Sequence, residues 1–129
     1  MEEYLFNLWT LVRIYKYLSP PNMKKCRIWT GNMKKSRFQH GKYGHIKIKF
    51  PGRNKSTVMN VHRLLVMINM GTYSIDSHLD ASHLCHNSLC CNVEHIVLEP
   101  RTVNLARRVC NAENACSGHG TFPNCLLNC

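Results

Sequence analysis

Cysteine and histidine residues crowd the last third of the chain, at spacings that indicate metal binding. The first group contains Cys85, Cys90 and His95, with four residues between each ligand and the next. Zinc prefers a tetrahedron of four Cys or His ligands, and ligands that are close in the chain come together at a low entropic cost. Cys26, far upstream, is the expected fourth ligand. These residues predict a first structural zinc site.

A second group of four such ligands lies near the C-terminus. Its members are Cys110, Cys116, His119 and Cys125. Each spacing alone is looser than that of familiar zinc fingers, but together the two groups predict two structural zinc ions. Bound structural zinc contributes on the order of 10 kcal/mol to the folding of small domains. We therefore expect the chain to need metal for its fold.

Two of the eight cysteines are left over, and each competes with a neighbour as a zinc ligand. Cys91 competes with Cys90 for the first site, and Cys129 competes with Cys125 for the second. Cys90 is favoured because it lies midway between its two partners. Cys125 is favoured because the shorter loop closes more easily. The alternatives Cys91 and Cys129 stay open at this point.

The same cysteines would suit a disulfide framework if the protein were secreted. The apolar segment 4–18, however, follows two glutamates, contains Arg13 and Lys16, and has no small-residue cleavage site. It is therefore not typical of a signal peptide, and it is too short and too charged to span a bilayer. We expect an intracellular protein with reduced thiols and no membrane partner, and a nucleic-acid substrate would suit the nucleus.

His83 and Asn104 are the residues near the first zinc group whose types suit catalysis. His83 lies two residues before Cys85 in a segment typical of a strand. A neutral His can accept a proton from an attacking water. Mg²⁺ is commonly held by only one or two protein oxygens, with water and substrate phosphate as its other ligands, so one Asn oxygen suffices. The structural alternative is a packed histidine and a surface asparagine.

The elements around these two residues predict how they meet. Residues 96–98 are apolar and typical of a strand that returns from the zinc loop. Residues 101–109 follow Pro100 and are typical of a helix, with Asn104 on its first turns. A strand, a second strand and a helix in this order would place His83 opposite the Asn104 side chain across a small gap.

Upstream of this unit the chain carries charge of one sign. The formal net charge is +10, and between Tyr4 and Ile75 there are fourteen Lys and Arg but no Asp or Glu. Such a stretch keeps a strong positive potential, and its natural partner is a polyphosphate backbone. A merely solvated basic surface is the alternative.

The basic residues fall in segments typical of strands. We expect a helix over 4–18, a short strand over 27–30, a loop over 34–37, an alternating strand over 43–50, a returning strand over 56–61 and a helix over 62–70. An antiparallel sheet of this kind fits the major groove of DNA. The predicted DNA-binding residues are Lys34, Lys35, Arg37, Lys42, His45, Lys47, Lys49, Arg53 and Lys55.

The segment 81–87, together with Cys90, His95 and Asn104, resembles the His-Cys box homing endonucleases, which cut double-stranded DNA. Segments 26–31, 43–44 and 61–63 resemble the wider HNH group of ββα-metal nucleases. The likeness extends roughly from residue 26 to residue 125. It implies a mixed α+β fold with a ββα-metal (His-Me finger) unit, an antiparallel DNA-binding sheet and two structural zinc sites.

The resemblance also implies roles for individual residues. His83 takes the role of general base, and Asn104 becomes the only protein ligand of a catalytic Mg²⁺ or Mn²⁺ ion. The family contacts the scissile phosphate with an Arg from the sheet, for which Arg53 is the candidate, with Lys55 and Arg63 as alternatives. The products would carry 5′-phosphate and 3′-hydroxyl ends.

One domain over 1–129 is expected, made of a helix and linker (1–25), the basic sheet (26–61), a helix and connection (62–80), the ββα-metal unit (81–109) and the second zinc loop (110–129). A homodimer, if formed, would use the N-terminal helix or another apolar surface, and a symmetric dimer would cut both strands of a near-palindrome. The alternative function is a zinc-stabilised DNA-binding module without catalysis.

Overall fold

The computed structural model describes residues 2–35 and 42–126, with the side chains of Glu2 and Lys35 left out. These residues form three α-helices and five strands, and a short 3-10 helix lies at Val93–His95. In chain order they are α1 (Glu2–Tyr15), β1 (Met33–Lys35), β2 (Lys42–Ile48), β3 (Thr57–Asn60), α2 (Val61–Met70), β4 (Leu79–His83), β5 (Ile96–Pro100) and α3 (Arg101–Glu113).

Two antiparallel sheets organise the described residues. One has the strand order β1-β2-β3 and the other pairs β4 with β5. The predicted alternation of the basic strand is confirmed, because Ile46 and Ile48 are buried while Lys47 is exposed. The apolar residues of β2 pack with Ile14, Val61 and Leu64 in the main core. The mixed α+β class is therefore confirmed.

Helix α1 contributes only one side to this core. Thr10 and Ile14 are 1% and 0% exposed, whereas Leu5 and Trp9 are 60% and 69% exposed. The other apolar side chains of the helix are thus left uncovered within the described part of the chain. The helix also ends at Tyr15 rather than residue 18, because the next residues form a turn that pairs with the segment around residue 29.

The predicted strand over 27–30 is wrong. Its backbone groups bond to two segments, in isolated bridges, instead of one neighbouring strand: Ile28 accepts from Ser19 and Thr30 donates to Tyr17 on one side, while Trp29 donates to Leu89 on the other. The segment therefore joins the N-terminal turn to the zinc loop. The loop predicted over 34–37 is also partly wrong, since Met33–Lys35 forms β1 against β2.

Trp29 fixes the edge of the main core at a point that only glycine allows. Its ring is 2% exposed, and its indole nitrogen donates to the carbonyl of Asn32 at 2.8 Å. A side chain at Gly31 or Gly44 would collide with this ring. The missing side chains thus let the backbone pass close to the tryptophan, at Gly31 just before β1 and at Gly44 within β2.

Helix α2 starts directly after β3, one residue earlier than predicted, and Gly71 ends it in the left-handed conformation with φ 72°. It is the central helix, with six of its residues buried, and it contacts both sheets. One face therefore packs on β2, while His62 at its start reaches the β4-β5 hairpin.

The β4-β5 hairpin and α3 form the predicted strand, strand and helix unit. His83 pairs with Ile96 at the zinc-loop end of the hairpin, and Leu79 pairs with Pro100 at the other end. Helix α3 packs on both strands. No helix among the described residues is long and apolar enough to span a membrane.

Candidate metal and active site

The first zinc group forms one buried cluster. The ligand atoms of Cys26, Cys85, Cys90 and His95 all lie within 4.8 Å of one another, and all four residues are buried. His95 directs its Nδ1 atom at this cluster, 3.3 Å from the Cys26 sulfur and 3.6 Å from the Cys90 sulfur. Three sulfurs and one imidazole nitrogen at these separations suit tetrahedral zinc.

Two thiols of this cluster, Cys85 and Cys90, interact with each other. A hydrogen bond between the two thiols lowers the pKa of Cys90, and the same bond, together with burial, raises the pKa of Cys85. A thiolate, not a thiol, binds zinc. The contact between the two sulfurs thus favours the thiolate at Cys90 over the one at Cys85.

The second group is also brought together, but nearer to the surface. Its four ligand atoms lie within 4.8 Å of one another, and only Cys110 is buried. His119 directs Nε2 at the Cys110 and Cys125 sulfurs, 3.4 Å from each. The backbone N–H of Cys125 donates to the Cys116 sulfur, and this contact lowers the pKa of Cys116 to about 7.

The two leftover cysteines have different outcomes. Cys91 lies in the main hydrophobic core and does not belong to the first cluster; burial raises the pKa of its thiol to about 12. Cys90 is therefore the residue that the structure brings to the ligands. Cys129 lies outside the described residues, whereas Cys125 is within the second cluster.

Arg107 binds the second cluster to the hairpin. Its guanidinium makes two hydrogen bonds of 2.7 Å to the carboxylate of Glu99, and the two side chains are 2% and 0% exposed. It also donates to the Cys125 sulfur at 3.3 Å and to the carbonyl of Pro123 at 2.9 Å. A buried pair of this kind is tolerated because every charge finds a partner. The sequence analysis missed both residues, since only folding brings them together.

The first zinc loop sets the orientation of His83. The ring nitrogen Nε2 lies 2.9 Å from the carbonyl oxygen of Cys90. A carbonyl oxygen only accepts hydrogen bonds, so Nε2 carries the proton and Nδ1 keeps its lone pair. Burial lowers the pKa of His83 to about 4, so the ring is neutral near pH 7. A neutral imidazole in this tautomer can accept a proton at Nδ1.

Two further rings pack beside His83. The ring of His62 lies 4.4 Å from the His83 ring, and the ring of Tyr43 stacks on His62 at 5.2 Å. Burial, followed by the nearby His83, lowers the pKa of His62 well below its usual value. The three rings restrict how His83 can turn, and they join β2, α2 and β4 at one place.

Asn104 on α3 faces β4. Its side-chain nitrogen Nδ2 donates to the Oδ2 atom of Asp80 at 3.0 Å. The other oxygen of Asp80 lies 3.4 Å from the guanidinium of Arg101. The sequence analysis missed Asp80. The available signal was weak: it is an acid within a strand, 24 residues before Asn104.

His83 and Asn104 line the same cavity, which has a volume of about 120 Å³. An adjoining cavity of about 430 Å³ shares Asn104 and is lined by Asp80 as well. Arg108 lines both cavities. Asn104 therefore lies where a histidine, a carboxylate and an arginine converge, and this cavity can admit water, a small ion and a phosphate oxygen.

The predicted DNA-binding residues are spread over the sheet and its turns. Lys34, Lys42, Lys47, Lys49, Arg53 and Lys55 are exposed, and His45 is half-buried. The side chain of Lys35 and all of Arg37 lie outside the described residues.

Arg53 lies apart from the cavity of His83. It lines a different cavity with Leu5, Trp9 and Phe50, and it lines neither of the two cavities around Asn104. Of its two alternatives, Lys55 also lines neither, while Arg63 lines the larger one. The Arg63 guanidinium is engaged with the carbonyls of Leu79 and Asp76.

Comparison with known families gives one match. The family model described as the zinc-binding loop region of homing endonuclease matches residues 25–127. The matched range contains both Cys/His clusters and the hairpin between them. Neither the curated proteins nor the solved structures give a match.

Proposed function

Since the chain belongs to the homing endonuclease family defined by this zinc-binding loop, we propose that it is a metal-dependent endonuclease acting on double-stranded DNA. The family match by itself supports a nuclease-like or DNA-binding role. The observation that carries the proposal of metal-dependent cleavage is the cavity that His83 and Asn104 both line. In this proposal the reaction is hydrolysis of a phosphodiester bond.

His83 acts as the general base. Its Nε2–H donates to the Cys90 carbonyl, so Nδ1 is the atom that takes a proton from water. The lowered pKa keeps the ring in its basic form at neutral pH. General-base catalysis of this kind typically contributes about 10²- to 10⁴-fold. The packed rings of Tyr43 and His62 hold the imidazole in one orientation.

Asn104 would hold the catalytic ion through its side-chain oxygen. The donor set fits a hard cation such as Mg²⁺ or Mn²⁺, because the amide nitrogen is bonded to Asp80 and the amide oxygen is the remaining ligand atom. When bound, such an ion stabilises negative charge on the phosphate and the leaving 3′ oxygen. The ends produced would be 5′-phosphate and 3′-hydroxyl.

DNA binding uses the three-stranded sheet. Lys47 is exposed on the face of β2 opposite buried Ile46 and Ile48, and Lys49 and Lys55 continue the exposed basic surface. Arg53 stays part of the proposed DNA-binding surface, but because it lines a different cavity from His83, the phosphate that it contacts would be a flanking one and not the scissile one. We also propose that the protein forms a homodimer through the exposed side of α1. Its role would be that of a mobile-element nuclease acting in the nucleus.

A plasmid assay tests the proposed reaction. Because the target sequence is not known, the substrate is a pooled supercoiled plasmid library with random inserts, and cut ends are identified by sequencing. The zinc-loaded wild type should cut in Mg²⁺ and not in EDTA. His83→Ala should lower the rate at least about 100-fold, and Asn104→Ala should also abolish cutting.

A matched control separates chemistry from folding. His78→Ala removes an exposed histidine whose ring has no bond to the zinc loop among the described contacts, and it should cut like the wild type. DNA binding of His83→Ala should match that of the wild type in a gel shift. Cutting by His83→Ala at the wild-type rate would contradict the proposal.

The second candidate is a zinc-stabilised DNA-binding module without catalysis. The exposed basic residues and the two metal clusters would support it equally well. Specific DNA binding without any metal-dependent cutting of the library would favour it over the nuclease.

A further inference from the structure

The contact between Asp80 and Asn104 determines which way the amide of Asn104 points. A carboxylate has no proton to donate near neutral pH, so it accepts from the amide nitrogen and repels the amide oxygen. The nitrogen lies 3.0 Å from Asp80 Oδ2. The planar amide group therefore turns its oxygen away from Asp80. Without this partner, the amide could rotate and present either atom to the cavity.

The position of Asp80 suits this task. It lies on β4 and its side chain is only 17% exposed, so its carboxylate is held by the strand rather than by solvent. Arg101 lies against its other oxygen at 3.4 Å, but the Arg101 side chain is 70% exposed. An exposed ion pair of this geometry contributes little to stability. A purely structural salt bridge thus explains Asp80 less well than its bond to Asn104 does.

Building on the proposed function, we propose that Asp80 is a positioning residue that aims the Asn104 oxygen at the catalytic divalent cation. It acts through Asn104 and does not itself bind the ion. Residues that orient metal ligands in this way commonly change metal affinity by about 10- to 100-fold when removed. The effect should be large here because the chain supplies so few ligands of its own.

Manganese binding tests the proposal without relying on turnover. All proteins carry His83→Ala so that DNA stays intact, and each contains two zinc ions. Mn²⁺ is titrated into protein bound to a short DNA duplex, and free Mn²⁺ is measured by electron paramagnetic resonance. DNA alone and Asn104→Ala define the background.

Two variants of Asp80 separate orientation from charge. Asp80→Ala removes the acceptor and should weaken Mn²⁺ binding about tenfold or more. Asp80→Asn keeps an oxygen at the same place that can accept from the Asn104 nitrogen. Mn²⁺ would favour this arrangement, because it leaves the Asn104 oxygen free for the ion. Mn²⁺ affinity of this variant should therefore stay within about threefold of that of the parent. Asp76→Ala removes an exposed acid from the preceding turn and should leave Mn²⁺ binding unchanged.

The outcomes are distinguishable. Equal losses in Asp80→Asn and Asp80→Ala would mean that Asp80 acts by its charge or as a ligand, which overturns the positioning role. No loss in either variant overturns it as well, while leaving the proposed nuclease intact. If the parent binds no Mn²⁺ above the Asn104→Ala background, both proposals fail together. Thermal melting of each variant near the parent temperature excludes unfolding as the cause.

Discussion

The two zinc clusters have the same ligands but opposite surroundings. The first is made of four buried residues, three from one loop and Cys26 from far upstream, whereas the second has one buried and three half-exposed residues from the last part of the described chain. The first cluster thus forms the buried centre of the loop between β4 and β5, where a larger domain would have apolar side chains. The second closes a surface loop after α3. One type of metal site therefore serves two structural purposes within a single chain.

The clusters also reach the proposed active site by different routes. The first does so through one backbone group, the Cys90 carbonyl, which accepts from His83. The second acts through Arg107, which joins Cys125 to Glu99, and through the N–H of Leu126, which donates to the carbonyl of Leu84. Loss of the first ion should therefore disturb the base directly, while loss of the second should loosen the frame that holds it.

Removing one ligand from each cluster should give the largest contrast. Cys85→Ala breaks the buried cluster, and the loss of about 10 kcal/mol of zinc binding is comparable with the whole free energy of unfolding of a domain, about 5–15 kcal/mol. This variant should show no cooperative melt by circular dichroism. Cys116→Ala should lose one zinc but keep a cooperative melt at a lower temperature. Equal damage by both changes would contradict the distinction.

A smaller effect should follow from breaking the link between the second cluster and the hairpin. Glu99→Gln leaves the buried guanidinium of Arg107 without its counter-charge, which should lower the free energy of unfolding by about 3–5 kcal/mol. Urea unfolding followed by circular dichroism measures this change. The double variant Glu99→Gln/Arg107→Met should recover part of the loss, since it removes the unpaired charge. A loss of less than about 1 kcal/mol in Glu99→Gln would show that the link is weak.

The smallest expected effect concerns the order in which the ions leave. Because three ligands of the second cluster are half-exposed, a chelator should remove one zinc ion per chain quickly and the other slowly. A colorimetric zinc indicator follows both phases. Cys116→Ala should abolish the fast phase and leave the slow one. Release of both ions in one phase would mean that exposure does not separate the clusters.

The sequence predicted those parts of the fold that depend on local pattern. The alternation of β2 follows from side chains at every second position, and the hairpin and α3 follow from apolar runs and Pro100. The metal ligands could be grouped because Cys and His have few other reasons to recur at such spacings. The spacing could not decide whether Cys90 or Cys91 is the zinc ligand. Only the fold does so, because it places Cys91 in the hydrophobic core.

Other features depend on partners that the local sequence does not reveal. The segment 27–30 has the composition of a strand, but its backbone bonds to two separate segments that are not strands. Asp80 and Asn104 lie on different elements, and nothing in the spacing of 24 residues links them. The buried pair of Glu99 and Arg107 would be assigned to the surface from its charges alone. Each of these needs tertiary contacts.

If the chain is the proposed nuclease, the bond between His83 and the Cys90 carbonyl makes zinc binding a condition for its activity. Under the proposed function, a freshly synthesised copy that has not yet captured its buried zinc has no rigid acceptor to select the imidazole tautomer. Such a copy would not cut DNA. Scarcity of zinc, or oxidation of the Cys90 sulfur, would then lower the cleavage activity, because the carbonyl oxygen that orients His83 belongs to a zinc ligand.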